Sequence, residues 1–195
     1  MNSFFAMMSR MKYIDRWALM LNSRSENLSE HSLDVAMIAH ALAVIGNIYL
    51  GKSLDAEKAA LLGLYHDSTE IITGDMPTPV KYDNARIKNS YKEMEQRAAD
   101  KLLEMLPEKM RPAYSDVFEK NPEDGYLWKL VKAADKLSAY IKCIEEQQAG
   151  NREFESAAKS TLLLLEDMDV PEIKIFMDTF MDAYGKNLDE LTGGE

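Results

Sequence analysis

Cysteine is almost missing from this chain: Cys143 is the only one in 195 residues. A single thiol excludes an internal disulfide framework and a cysteine-rich zinc site, and it fits a reducing, cytoplasmic setting. Cys143 stands among Ile141 and Ile144 and reads as a small buried hydrophobe rather than a nucleophile. Glycine is sparse too. None of the nine glycines falls into a GxGxxG or GxxxxGKS/T phosphate cradle, so neither a dinucleotide fold nor a P-loop is supported. HExxH and GxSxG are absent as well. No apolar run approaches the ~20 residues needed to span a bilayer. Arg10 and Lys12 interrupt the apolar N-terminal stretch "MNSFFAMMSRMKYIDRW", and no small-residue cleavage site follows, so it reads as an amphipathic helix rather than a signal peptide. Positive charge is in deficit, with 33 acidic against 23 basic residues and a net charge of -10. That balance argues against nucleic-acid polymers and anionic membranes as partners. A small anionic substrate stays open, because local cations or a metal outweigh a global field at short range.

What is present is helical periodicity, with little strand-like alternation. The pattern predicts a first helix over about 4–20. A capping box of Asn27 and Glu30 opens a second over about 28–46. Apolar on nearly every face except at His40 between Val35 and Ile45, the second reads as central and buried. A third helix is expected over about 55–73, stopped by Gly74. "DMPTPVKY" then reads as an extended, ordered loop held by Pro77 and Pro79. Further helices are expected at about 83–105, shortly after Pro112, and at about 125–149, 152–167 and 171–190, before a frayed "TGGE". With no repeat or long linker, the expectation is one all-α domain over 1–195. The 13 methionines fall mostly at core spacing and read as packing.

Three histidines remain as carriers of chemistry: His31, His40 and His66. In "LLGLYHDSTEIITGD" an apolar helical run ends at His66-Asp67, and on a continuous helix Glu70 shares their face. In "LWKLVKAADKLSAYI" Asp135 adjoins an apolar stripe, where a lone ionised carboxylate would cost several kcal/mol. One divalent cation on His31, His66, Asp67 and Asp135 would satisfy all four. Two imidazoles and two carboxylates suit Mn²⁺, Co²⁺, Fe²⁺ or Zn²⁺ more than Ca²⁺. Each residue also has an ordinary reading, a satisfied core histidine or a carboxylate paired with lysine or arginine. Nine residues past His31, His40 lies about 180° around the helix and about 13 Å along it, outside any shared site.

The order His31, His66-Asp67, Asp135, each on its own helix, resembles the HD-domain metal-dependent phosphohydrolases. The segments "RWALM", "SENLSEHSLDVAMIAHALA", "LYHDSTEIITGDMPTPVKY" and "LVKAADKLSAYIKCIEE" are similar to those of the bacterial HD-domain 5′-deoxynucleotidases. They span most of residues 4 to 150 and leave the helices of about 151–190 without an assigned role. The resemblance implies an HD-type helical bundle, a cytoplasmic homodimer and one divalent ion per chain, Co²⁺ or Mn²⁺ ahead of Zn²⁺, Fe²⁺ or Mg²⁺. The implied reaction is hydrolysis of 2′-deoxynucleoside 5′-monophosphates, broad for base and selective against ribonucleotides.

The resemblance also implies roles. His31, His66, Asp67 and Asp135 hold the metal, Glu70 is the general acid/base, and Arg16 orients the phosphate. Trp17 packs on the sugar and excludes a 2′-hydroxyl. Asp75 accepts from the 3′-hydroxyl, while Met76, Pro77 and Thr78 line sugar and base. His31, Asp67 and Asp135 border the substrate from the metal side. The competing expectations are an HD-type hydrolase of dNTPs or cyclic nucleotides, and a silent metal- and nucleotide-binding module. Retention of Glu70 beside the four ligands disfavours the silent module, since binding alone needs no general acid.

Overall fold

The computed structural model describes residues 2–193 apart from Tyr82 and Lys120, and apart from the side chains of Thr78 and Pro79. Its α-helices are α1 (Phe4–Met8), α2 (Leu28–Tyr49), α3 (Ala56–Tyr65), α4 (Glu70–Thr73), α5 (Thr78–Lys81) and α6 (Ala85–Glu104). The chain continues through α7 (Arg111–Phe118), α8 (Gly125–Gln148), α9 (Glu155–Glu166), α10 (Glu172–Phe180) and α11 (Leu188–Leu191). Among the described residues there is no strand, only an isolated antiparallel bridge between Asp15 and Asn27.

The helix α2 starts where the sequence sets it. Asn27 Oδ1 accepts from the Ser29 and Glu30 amides at 3.0 and 3.1 Å, and Glu30 reaches back to the Asn27 amide at 3.2 Å. This box satisfies amides that the first turn otherwise leaves unpaired. Against the expectation that no apolar run approaches a spanning length, α2 is by length and composition apolar enough to cross a membrane, and half of its most apolar stretch is buried within the bundle. Val35, Ala39, Leu42 and Ala43 meet Leu62 of α3 and Leu130, Ala134 and Leu137 of α8 in the main core. Each fully buried leucine there contributes about 1.5–3 kcal/mol. The approach of α3 to α2 is close at Gly63, where a Cβ would lie 2.9 Å from Ala36 Cα. A second cluster joins Phe4 of α1 to Leu102 and Leu106, with Tyr65 and Tyr114 packed against it. A third holds Cys143, Phe154 and Ala158 against Trp17; Cys143 is fully buried and packs as a hydrophobe.

Four expectations need correction. The first helix stops early: α1 gives way to a 3₁₀ turn at Ser9–Tyr13, and Ile14 is extended. Arg16 and Trp17 therefore lie on a loop, not at a helix end. Two hydrogen bonds explain this, Arg16 N to Glu26 O and Leu28 N to Ile14 O, both 2.9 Å. They pair residues 14–16 with 26–28, a contact that local periodicity does not encode. Second, the helix expected over 55–73 breaks after Tyr65. The Ser68 amide bonds Tyr65 O and the Glu70 amide bonds Asp67 O, three residues back rather than four, so His66 to Glu70 form tight turns between α3 and α4. Third, "DMPTPVKY" contains the helical turn α5, closed by Val80 and Lys81 amides on Pro77 O. Fourth, the last helix divides into α10, a 3₁₀ turn at Met181–Gly185 and α11, whose capping box at Asn187 starts a new helix. Of "TGGE", Gly194 and Glu195 lie outside the described residues.

The loop between α1 and α2 is clamped to the C-terminal part of α8. The buried Glu146 carboxylate accepts from Ser23 N at 2.8 Å, Asn151 Nδ2 at 2.7 Å and Lys142 Nζ at 2.5 Å. Lys142 also donates to Arg24 O at 2.6 Å, and Asn151 Nδ2 to Leu21 O at 2.7 Å. Burial opposes ionisation of Glu146, but Lys142 and Asn151 outweigh it and hold its pKa down to about 2. A carboxylate with a lowered folded-state pKa adds stability above its unfolded value near 4.5 and loses it as pH falls. Glu146→Gln is therefore expected to lower the melting temperature at pH 7 and to flatten its decline between about pH 4.5 and 2. Thermal denaturation of both proteins across that range checks it.

Candidate metal centre

Three helices of the main core, α2, α3 and α8, bring four side chains to one point. His31 lies one turn into α2, His66 and Asp67 directly follow α3, and Asp135 projects from the middle of α8. One ligand atom from each lies within 4.8 Å of all the others. Ligands about 2.0–2.2 Å from a common ion stand about 3.5–4.4 Å apart, so the four atoms are gathered at a spacing close to that of a shared ion.

The outer nitrogens of both imidazoles are committed. His66 Nδ1 donates to Gly63 O at 2.7 Å, and His31 Nδ1 pairs with Ser138 Oγ of α8 at 3.1 Å. A carbonyl only accepts, so in neutral His66 the proton sits on Nδ1, which leaves the Nε2 lone pair available to a metal. Both Nε2 atoms are buried and make no hydrogen bond, although His66 Nε2 is 3.0 Å from Asp67 Oδ2 and His31 Nε2 is 3.2 Å from Asp135 Oδ1. Close donors that do not align as hydrogen bonds, each with its far nitrogen fixed, fit a shared divalent ion. The donor set, two imidazoles and two carboxylates, fits the same group.

The electrostatics agree with this arrangement. Burial raises the pKa of both carboxyls, yet Asp67 is held well below the usual range by His66, and Asp135 by Lys136 and His31. Lys136 Nζ lies 2.8 Å from Asp135 Oδ2. Burial and the Arg16 charge lower His31 to about 4, leaving it neutral at pH 7. Burial opposes protonation of His66 too, but Asp67 wins and moves it up.

Around the cluster, Arg16 sends Nη1 to 3.5 Å from Asp67 Oδ2 and Nη2 to 4.0 Å from Asp135 Oδ1, while its Nε faces Glu26 Oε2 at 3.3 Å. Trp17 packs against Phe154, centroids 5.3 Å apart and planes tilted by 57°, and donates Nε1–H to the same Glu26 oxygen at 3.1 Å. Its φ is +57°, a left-handed conformation that costs a bulky residue energy. Glu70, first in α4, is buried, and its Oε2 makes no hydrogen bond. Burial, then Asp67 and Asp75, push its pKa up to about 9. Burial also raises Asp75, against the pull of Arg16. Met76 and Pro77 follow it, half-buried, and the side chain of Thr78 lies outside the described residues. The segment is tied to α6 through Tyr91, which donates to Gly74 O at 3.2 Å, and through the Lys81–Glu95 pair at 2.8 Å. His40 is exposed on α2, apart from the cluster. Sequence reasoning missed Glu26, Ser138 and Lys136. Only Lys136, beside Asp135, stood where charge pairing signals a partner.

The family model of the YfbR-like 5′-deoxynucleotidases matches residues 3–184. The 5′-deoxynucleotidase of Shewanella oneidensis is 47% identical over 191 residues, covering 98% of each chain. The 5′-deoxynucleotidase YfbR of Escherichia coli is 47% identical over 189 residues, covering 97% of this chain and 95% of the relative. Among solved structures, an HD-domain phosphohydrolase from Listeria innocua superimposes with a TM-score of 0.80 at 21% identity, covering 98% of this chain and 96% of that one. The cyanophage S-2L HD phosphohydrolase DatZ, solved with dA and one catalytic Zn²⁺ ion, gives 0.64 at 18% identity, with 93% and 96% covered. At these identities the structures speak for the all-α HD fold, and the family follows from the sequence matches. The chain belongs to the YfbR-like 5′-deoxynucleotidase family.

Proposed function

We propose that this chain hydrolyses 2′-deoxynucleoside 5′-monophosphates to deoxynucleoside and phosphate, with one divalent cation held by His31, His66, Asp67 and Asp135. The observation that carries the reading is the pair of buried Nε2 atoms facing two ionised carboxylates within 4.8 Å. When bound, the ion supplies Lewis acidity toward a phosphoryl oxygen and lowers the pKa of a water. Co²⁺ and Mn²⁺ are the proposed native ions, with Zn²⁺, Fe²⁺ or Mg²⁺ as alternatives, in keeping with the mixed nitrogen and oxygen donors.

The chain's own residues do the rest. Arg16 faces Asp67 and Asp135 through two N–H groups, which suits a fork around the substrate phosphate and neutralises charge on it. Burial favours the protonated form of Glu70, which suits it to give a proton to the departing 5′-oxygen. Trp17 forms the sugar wall that a ribose 2′-hydroxyl would strike. Asp75 receives the 3′-hydroxyl, and Met76 and Pro77 line sugar and base with few fixed polar contacts, hence broad base tolerance. His31, Asp67 and Asp135 border the phosphate from the cation's side.

We further propose that residues 1–195 work as one domain. Homodimer formation is proposed through the last helices, supported by exposed Leu163, Leu164, Phe180 and Leu188. A cytoplasmic setting is proposed from the lone, buried Cys143.

Two measurements test the site. Ser138→Ala removes the partner of His31 Nδ1 and is expected to weaken metal binding about 10–100-fold, read by chelator competition with Co²⁺ or Zn²⁺. Glu70→Gln is expected to lower kcat for dAMP about 10²–10⁴-fold with metal affinity unchanged. Unchanged turnover would remove Glu70 from the mechanism.

A further inference from the structure

Arg16 and Trp17 are neighbours in the chain, and extended neighbours point to opposite faces. Here both reach one oxygen: Glu26 Oε2 accepts from Arg16 Nε at 3.3 Å and from Trp17 Nε1 at 3.1 Å. The left-handed backbone of Trp17 removes the alternation and brings the indole round to the side of the guanidinium. Such a conformation persists only when its surroundings over-determine it. Four contacts do so. Arg16 N bonds Glu26 O at 2.9 Å, fixing the register that sets Glu26 opposite Arg16. The indole packs against the tilted ring of Phe154. Trp17 O accepts from Met20 N at 2.9 Å and from Asn22 Nδ2 at 3.1 Å. The Glu26 and Arg16 side chains are each 12% exposed, so water competes little for these bonds.

We infer that Glu26 is a positioning residue that couples the phosphate grip to the sugar selection: its one carboxylate oxygen fixes the guanidinium of Arg16 and the indole of Trp17 in a single geometry. Engaging Arg16 through Nε leaves Nη1 and Nη2 turned to Asp67 and Asp135. Engaging Trp17 through Nε1 fixes the plane of its ring. The coupling rests on the proposed substrate roles of Arg16 and Trp17. It predicts that a fault at Glu26 degrades phosphate binding and sugar discrimination together, although Glu26 itself touches no substrate.

The test compares kcat/KM for dAMP and AMP in the metal-loaded wild-type enzyme and in Glu26→Ala, Glu26→Gln and Trp17→Ala. Glu26→Ala is expected to raise KM for dAMP and to lower the dAMP-to-AMP ratio, each by about tenfold. Glu26→Gln keeps an acceptor oxygen and is expected to restore most of the ratio. A purely structural role would slow both substrates alike and leave the ratio unmoved. As a readout independent of turnover, the near-UV circular dichroism of Trp17 in a Trp128→Phe background is expected to change in Glu26→Ala and not in Glu26→Gln. If the alanine variant does not fold, Glu26→Asp, which withdraws the oxygen by one methylene, is expected to lower the ratio in its place. A ratio that survives loss of Glu26 but collapses in Trp17→Ala overturns the coupling alone. A ratio that survives Trp17→Ala overturns the sugar-wall reading, and the coupling with it.

Discussion

Two ionised carboxylates inside a helical bundle are the constraint on which this structure turns. Asp67 and Asp135 sit beside apolar core, and burial alone would raise their pKa values. They stay charged because His66, Arg16 and Lys136 surround them, and because α2, α3 and α8 pack closely enough to hold that geometry. Gly63 is part of the same requirement, since a side chain there would strike α2 and push away the helix end that carries His66 and Asp67. Core packing and the chemistry of the site are therefore one problem. A concentration of charge that adds little to stability unaided becomes a site once a cation completes it.

The second requirement, on the proposed function, is a wall for the substrate, and the loop between α1 and α2 is the element proposed for it. Residues between α1 and α2 carry Arg16 and Trp17, and a loop is a flexible base for positioning groups. The bundle compensates from two directions. Glu146 and Lys142 hold the backbone near Ser23 and Arg24, while Glu26 and Phe154 hold the two side chains. Across the site, α6 holds the segment of Asp75 to Pro77 through Tyr91 and Lys81.

The parts of this fold that were legible in the sequence are those that short-range chemistry dictates. The all-α class, the Asn27–Glu30 box, the long α6 and α8 and the buried Cys143 all follow from periodicity, capping and composition. Where distant residues decide the backbone, local reading failed. The helix expected to reach residue 20 ends at a 3₁₀ turn because residues 14–16 pair with 26–28. The helix expected through residue 73 tightens after Tyr65, so Glu70 opens a separate short helix near His66 and Asp67. Convergence of His31, His66, Asp67 and Asp135 was legible through their resemblance to a known order of ligands, not through spacing. Glu26 and Ser138 were not legible at all: a carboxylate before an N-cap and a serine in a helix carry no signal until the fold brings their partners to them.

The central claim is that a divalent ion in the four-residue cluster carries the hydrolysis of deoxynucleoside monophosphates. Phosphate release from dAMP, dTMP, AMP and cyclic AMP by metal-stripped protein, resupplied in turn with Co²⁺, Mn²⁺, Zn²⁺ and Mg²⁺, tests it most directly. The account predicts no release from the stripped protein, recovery on dAMP and dTMP with Co²⁺ or Mn²⁺, and near-inertness of AMP and cyclic AMP. Release from dAMP that persists after stripping, or that no ion restores, would contradict it.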